Sequence, residues 1–270
     1  MHEIEWYFPQ YIDEALDLIK LEGVIPHAGG TGILKSRLLE KIKGLVDLGK
    51  LPINYFCEEN GEIKIGAMQT YNDVIENLRQ IDPDSILIKA LSQAASTPLR
   101  NRITVGGSVS YFPIWSDIMG PLIALDAKVT LLGENAGMYD IRYFAKNRLL
   151  RRNSLVKEVK FEKDRWRSYY FRAARTSFDY AAFTISILAK KDKNLVKDIR
   201  IVVTGCARKF IRLEDLEEEL KGKEIQYLNF DDIIKDINLE FRGKRHGSPE
   251  YLNHLFQVEL RRGLSKIFGD

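Results

Sequence analysis

Two glycine-rich turns hold the residues best suited to binding chemistry: Pro26-His27-Ala28-Gly29-Gly30-Thr31-Gly32, after the apolar pair Val24-Ile25, and Thr104-Val105-Gly106-Gly107-Ser108, after Arg102-Ile103. A Gly-Gly pair lets the backbone turn with positive φ and approach a ligand closely, so that successive N–H groups converge on negatively charged oxygens. The hydroxyls of Thr31, Thr104 and Ser108 add donors. Read together, the turns look like two halves of one phosphate site; read singly, each is an ordinary hairpin or strand-end turn. Neither fits the dinucleotide pattern G-x-G-x-x-G or the P-loop pattern G-x-x-x-x-G-K-[ST].

Other chemistries find little support. The only cysteines, Cys57 and Cys206, are far apart, which excludes a disulfide scaffold and a four-cysteine iron–sulfur set within this chain. Of His2, His27, His246 and His254, only the last two approach ligand spacing, and two residues do not make a zinc site, so no metal site is expected. No set of residues suggests acid–base catalysis. A formal charge of +3 is too small to argue for nucleic acid, but the stretch 142–167 holds ten basic residues against three acidic ones. That run reads as a solvated face or a contact for an acidic partner, with phosphate or nucleic-acid binding as the alternative. Apolar stretches are too short to cross a bilayer and the acidic start is unlike a secretory signal, so a cytoplasmic protein without a transmembrane segment is expected.

The elements that must position the turns follow from periodicity. Strand, helix and strand over 5–9, 12–19 and 24–26 lead into the first turn, forming a small α+β unit. Asn60-Gly61 between Tyr55-Phe56-Cys57-Glu58 and Ile63-Lys64-Ile65-Gly66 signals a hairpin. Helices are expected over 71–78 and 86–95, a break at Pro98, a strand entering the second turn, a helix over 121–127 and a strand over 128–132. Further on, strands are expected over 169–172, 192–203 and 210–212, with helices over 178–189, 213–220, 231–237 and 249–268. The chain is thus expected to be α+β, with one domain over 1–162, itself divided at about 54/55, and a smaller one over 163–270.

With these flanks, the chain resembles the flavin-binding subunit of the molybdenum hydroxylases, the family of xanthine dehydrogenase and aerobic carbon monoxide dehydrogenase. The family's first flavin loop, A-G-G-T-[DS]-[LIV], appears as Ala28-Gly29-Gly30-Thr31-Gly32-Ile33, and its I-G-A-x-T-T-Y marker as Ile65-Gly66-Ala67-Met68-Gln69-Thr70-Tyr71. The second loop, I-R-N-x-x-T-[IV]-G-G-N-[IL], appears as residues 99–109, followed by Asp117 and Leu122-Ile123-Ala124-Leu125-Asp126-Ala127. Weaker matches are Arg175-Thr176-Ser177-Phe178-Asp179-Tyr180-Ala181 and Gly247-Ser248-Pro249-Glu250-Tyr251.

The resemblance implies a two-part FAD-binding domain of the molybdopterin dehydrogenase flavoprotein type, followed by a smaller α+β C-terminal domain. It implies FAD held by Pro26, His27, Ala28, Gly29, Gly30, Thr31, Gly32, Thr104, Gly106, Gly107, Ser108 and Ser110, the loops wrapping its pyrophosphate. Asp117 would accept hydrogen bonds from flavin or ribityl hydroxyls, and Leu155 and Phe171 would lie near the isoalloxazine. Read without the family, Asp117 caps the helix near Pro121, Leu155 is core and the Phe171 region is packing. The sequence departs from the pattern at Gly32, Ser108 and Phe171, where many members have a basic residue that Arg172 would replace. The implied function is electron transfer: an iron–sulfur subunit and a molybdopterin-binding large subunit hold the clusters and the molybdenum cofactor, and FAD here passes electrons to an acceptor such as NAD or quinone. Alternatives are a stand-alone FAD-dependent oxidoreductase of the same fold, and a non-enzymatic phosphate or nucleic-acid binder using 142–167.

Overall fold

The computed structural model describes residues 4–33, 39–242 and 247–269. In chain order its strands and α-helices are β1 (Glu5–Tyr7), α1 (Ile12–Leu18), β2 (Val24–His27), β3 (Gly44–Asp47), β4 (Phe56–Glu59), β5 (Glu62–Gly66), α2 (Tyr71–Ile81), α3 (Ile86–Leu91), α4 (Thr97–Arg100), α5 (Val105–Tyr111), α6 (Met119–Ala124), β6 (Lys128–Gly133), β7 (Gly137–Asp140), α7 (Ile141–Lys146), β8 (Ser154–Glu162), β9 (Arg167–Ala173), β10 (Phe183–Asp192), β11 (Leu195–Thr204), β12 (Phe210–Arg212), α8 (Glu214–Leu220), α9 (Phe230–Ile234) and α10 (Pro249–Phe268). These elements cluster into two units. One holds residues 1–77, 96–112 and 126–163; the other holds 78–95, 113–125 and 164–270, so two stretches from the first half of the chain group with its end.

The first unit contains a parallel three-stranded sheet, β1-β3-β2, and an antiparallel five-stranded sheet, β4-β5-β8-β6-β7. The parallel sheet is short, and Val46 at its centre is fully buried. The β4–β5 hairpin turns on Asn60 (φ 52°) and Gly61 (φ 78°), the left-handed pair that matches the twist of a tight hairpin. On the larger sheet Ile63, Ile65, Val129 and Val159 are buried, and α5 packs against β5 and β8.

The second unit is built on the antiparallel sheet β12-β11-β10-β9. One face buries Phe183, Ile185, Ile187, Ile199, Ile201 and Val203 with Phe256, Leu260 and Leu264 of α10. The other packs against α3 and α6 and holds buried hydroxyls, with Thr184 Oγ1 2.7 Å from Thr204 Oγ1.

Three expected elements are corrected. The helix over 178–189 is instead β10: in Phe183-Thr184-Ile185-Ser186-Ile187-Leu188-Ala189 both faces are buried, so the alternation that marks a strand is hidden in a near-continuous apolar run. No strand enters the second glycine turn; Thr104 caps α5, and Val105 begins the helix. Pro98 lies within the first turn of α4 rather than breaking the chain, because its missing N–H would have had no helical partner there. The 20-residue α10 starts and ends where periodicity places it, with Ser248 as its cap and Pro249 as its first residue.

Candidate functional site

The first turn leaves β2 at its C-terminal end. His27, the last residue of that strand, places Nδ1 3.3 Å from Asp47 Oδ2 on neighbouring β3. Gly30 follows at φ +73°, and the amides of residues 29–32 donate to no group among the described residues. The Thr31 hydroxyl is likewise unbonded among them. A row of unspent donors around a left-handed glycine is the arrangement that takes up an anion.

The second turn is organised differently. Thr104 is buried; its Oγ1 accepts from Gly107 N at 3.2 Å, and its carbonyl accepts from Ser108 N at 3.0 Å and Ser108 Oγ at 2.8 Å. Val105 N donates to Gln69 O and Gly106 N to Ala67 O, at 2.9 and 2.8 Å. Every amide over 105–108 is therefore committed. Gly106 is small because the marker segment lies against it: a Cβ there would come within 2.6 Å of Ala67 Cβ and 3.0 Å of Ala67 O. The I-G-A-x-T-T-Y marker thus forms the support on which the start of α5 rests, a role its sequence did not disclose.

The two turns meet. Arg102 Nε and Nη2 donate to Gly29 O at 3.1 and 2.9 Å, and a Cβ on Gly29 would lie only 1.5 Å from Arg102 O. Gly32 sits against the Tyr111 ring at the end of α5, a Cβ there being 3.7 Å from its nearest carbon. Ser110 O accepts from Arg151 Nε at 2.8 Å, while the Ser110 hydroxyl has no partner among the described residues. Pro26, His27, Ala28, Gly29, Gly30, Thr31 and Gly32 are thus gathered with Thr104, Gly106, Gly107, Ser108 and Ser110 in the first unit. Arg102, which ties them together, was missed, because its side chain has no signature beyond its place before the turn.

Leu155 also belongs to the first unit, buried on β8 opposite Leu132. Asp117 and Phe171 belong to the second. The Asp117 carboxylate is buried, and its Oδ1 accepts from Tyr170 OH at 2.8 Å and Arg172 Nε at 2.9 Å. Burial pushes the Asp117 carboxyl up, against the opposing pull of Arg172, and pushes the Tyr170 hydroxyl well above its usual value, keeping it a donor. The helix-capping role for Asp117 is corrected: Ile118 occupies the N-cap of α6, with no side-chain cap. Arg172, the cation expected to replace a basic group at Phe171, is paired with Asp117 and also donates to the Asp179 carbonyl. Phe171 turns the other way, toward the core, with its ring centroid 5.9 Å from that of Phe183.

Four of the ten basic residues in 142–167 are engaged within the fold. Arg142 pairs with Asp140, Lys160 with Glu62, Lys163 with Glu58, and Arg151 lies over the Phe144 ring. Among the described residues, no group of three or more His, Cys, Asp or Glu is placed to hold a metal ion, and no helix is long and apolar enough to cross a membrane. His2 and His246 lie outside the described residues.

Residues 2–161 match the family model of the FAD binding domain in molybdopterin dehydrogenase, and residues 168–267 match that of the CO dehydrogenase flavoprotein C-terminal domain. The chain is 27% identical to the carbon monoxide dehydrogenase medium chain of Hydrogenophaga pseudoflava, over 81% of this chain and 80% of that one. It is 25% identical to the glyceraldehyde dehydrogenase medium chain of Sulfolobus acidocaldarius, over 87% and 85%. Its fold superimposes on a carbon monoxide dehydrogenase structure from Hydrogenophaga pseudoflava with a TM-score of 0.88 at 24% identity, covering 98% of this chain and 97% of that one. Unspent amides around Gly30 suit an FAD pyrophosphate, and the chain belongs to the FAD-binding flavoproteins of the molybdopterin dehydrogenases, an oxidoreductase subunit with FAD as its cofactor.

Proposed function

We propose that this chain is the electron-transfer subunit of a molybdenum-containing hydroxylase or dehydrogenase, receiving electrons from an iron–sulfur subunit and passing them to an external acceptor such as NAD or quinone. The observation that carries the reading is the row of unspent amides over 29–32, tied by Arg102 to the second turn. Bound FAD supplies the redox chemistry, accepting electrons and giving them up to the acceptor. The chain's own part is to bind and orient. Backbone amides neutralise a diphosphate without a lysine, which suits a permanently held cofactor. In this reading residues 1–162, with subdomains meeting near 54/55, hold the cofactor and residues 163–270 form the C-terminal flavoprotein domain.

Partner subunits follow from what the chain lacks and what it is similar to. Half-buried Cys57 and buried Cys206 cannot ligate a cluster together with two further cysteines, so the iron–sulfur relay sits on another chain, and the molybdopterin on a large subunit. Similarity to proteins named as medium chains supports that division. Two unpaired cysteines also suit a reducing compartment, and we place the protein in the cytoplasm.

The test is visible absorption of the purified chain, alone and with added FAD, beside Gly30→Val and Gly107→Val. Flavin bands in the wild type that are lost in Gly30→Val are expected; a chain that never takes up FAD overturns the reading. Flavin-loaded protein that is reduced by a co-purifying iron–sulfur chain supports the subunit role. Turnover of a small substrate by the isolated chain supports the stand-alone alternative instead.

A further inference from the structure

The edge of the three-stranded sheet that carries the first glycine turn also carries aromatic rings that the turn does not use. Strands β1, β2 and β3 run parallel, so Tyr7, His27 and Asp47 all end at one edge, the edge at which open α/β sheets take ligands. Side-chain alternation places Trp6 and Phe8 on the same face as His27 and Asp47. The Trp6 and Phe8 rings lie nearly parallel, 14° apart with centroids 6.1 Å from each other. Both stay substantially in water, at 45% and 57% exposure. His27 links this pair to the turn: its imidazole meets the Trp6 ring edge-on at 4.8 Å, and its Nε2 lies 2.9 Å from where a Cβ on Gly30 would stand.

We propose that Trp6 and Phe8 form the platform on which the adenine ring of the cofactor stacks while its pyrophosphate lies on the amides over 29–32. The inference rests on the FAD reading above. One ribose separates adenine from the pyrophosphate, so the ring must settle within a short reach of those amides. Two exposed aromatic surfaces lie at that reach, the single Tyr111 ring against Gly32 and the Trp6–Phe8 pair one imidazole away from Gly30, and the pair offers the larger flat face. Stacking also explains why two large rings remain uncovered beside a polar turn: an aromatic face accepts a base without requiring hydrogen bonds.

Calorimetric titration of the full chain with FAD, ADP and inorganic pyrophosphate tests this. Trp6→Ala is expected to weaken FAD and ADP about 5- to 100-fold, the range that loss of one base–aromatic stack produces, and to leave pyrophosphate unchanged. Trp6→Phe should stay near wild type, and ADP should quench tryptophan emission in the wild type but not in Trp6→Phe. Equal weakening of all three ligands would overturn the platform, because Trp6 would then only support the turn. No weakening at all would also overturn it and assign the pair to a protein partner. Weakening of NAD alone, measured on FAD-loaded chain, would assign the surface to an acceptor nucleotide and likewise overturn the proposal. A wild-type chain with no affinity for FAD or pyrophosphate would overturn the parent reading together with this one, whereas FAD binding that is indifferent to Trp6→Ala overturns only the platform.

Discussion

In the turn after β2 the amides of residues 29–32 donate to no group among the described residues, whereas in the turn before α5 every amide over 105–108 already has an acceptor. Both turns contain Gly-Gly next to a hydroxyl residue. In the first, glycine supplies a left-handed conformation at Gly30 that leaves donors facing outward. In the second it supplies close approach, letting α5 start within van der Waals reach of Ala67. In the proposed reading the first turn is the one that binds the anion, while Arg102, just before the second, donates to Gly29 O and ties the two together. The lesson is that a glycine pair names a backbone need without saying which one, and the hydrogen-bond ledger of the folded chain decides.

Asp117 belongs with the second kind of region, because Tyr170 and Arg172 already occupy its Oδ1. The largest expected effect therefore comes from Arg172→Leu, which leaves a buried carboxylate without its cation and should cost about 3–5 kcal/mol at pH 7. The sign of its pH dependence follows from the carboxyl's raised pKa. With the guanidinium gone, burial raises it further, so the protonated form becomes the stable one. The deficit is then small below about pH 4, the unfolded value, and grows as pH rises through the folded value. Urea denaturation across pH measures this, and Asp117→Asn in the same background should recover most of the loss. Unchanged stability with weakened FAD would instead show Asp117 and Arg172 serving the ligand.

Two glycine variants test the contrast itself. Gly106→Val drives its Cβ into Ala67 and should cost about 2–3 kcal/mol through overpacking, lowering the melting temperature, while the folded fraction keeps near-normal FAD affinity. Gly30→Ala meets the strain of φ +73°, about 1 kcal/mol, and places its Cβ 2.9 Å from His27 Nε2, so the imidazole must shift as well. Its effect should fall on binding: losing one amide–phosphate bond, worth about 1.5–3 kcal/mol, weakens FAD about tenfold or more. Thermal melts and flavin titrations of both variants separate the two outcomes. A reversed pattern would mean that the second turn carries the ligand.

What the sequence disclosed about this site was the local part. The Asn60-Gly61 hairpin and the Ser248-Pro249 start of α10 depend on neighbours within a few residues, and both appear where expected. The pairing of the two turns was read from their shared Gly-Gly and hydroxyl chemistry and supported by the family resemblance, not by any rule about neighbouring residues. Three features were out of reach for one reason: each depends on partners distant in the chain. Two of the second turn's amides, those of Val105 and Gly106, are spent on Gln69 and Ala67, more than thirty residues upstream. Asp117 finds Tyr170 and Arg172 more than fifty residues downstream. Strand β10 is covered on both faces, so its apolar pattern reads as a helix until its neighbours are known.

The smallest expected effect gives the sharpest test, because it concerns the hydroxyl that makes the second turn look like the first. Thr104 Oγ1 accepts from Gly107 N and so closes the start of α5. Replacing it with alanine removes an N-cap and should cost about 1 kcal/mol in stability, with the loss restored by Thr104→Ser. FAD affinity should stay near wild type, since the capped amide faces its own threonine and not the cofactor. Chemical denaturation measures the first quantity and a flavin titration the second. If Thr104→Ala left stability intact but abolished FAD uptake, Thr104 would be a ligand donor and the two turns would share one role. Retained binding with reduced stability keeps them apart, one turn holding the anion and the other holding the fold.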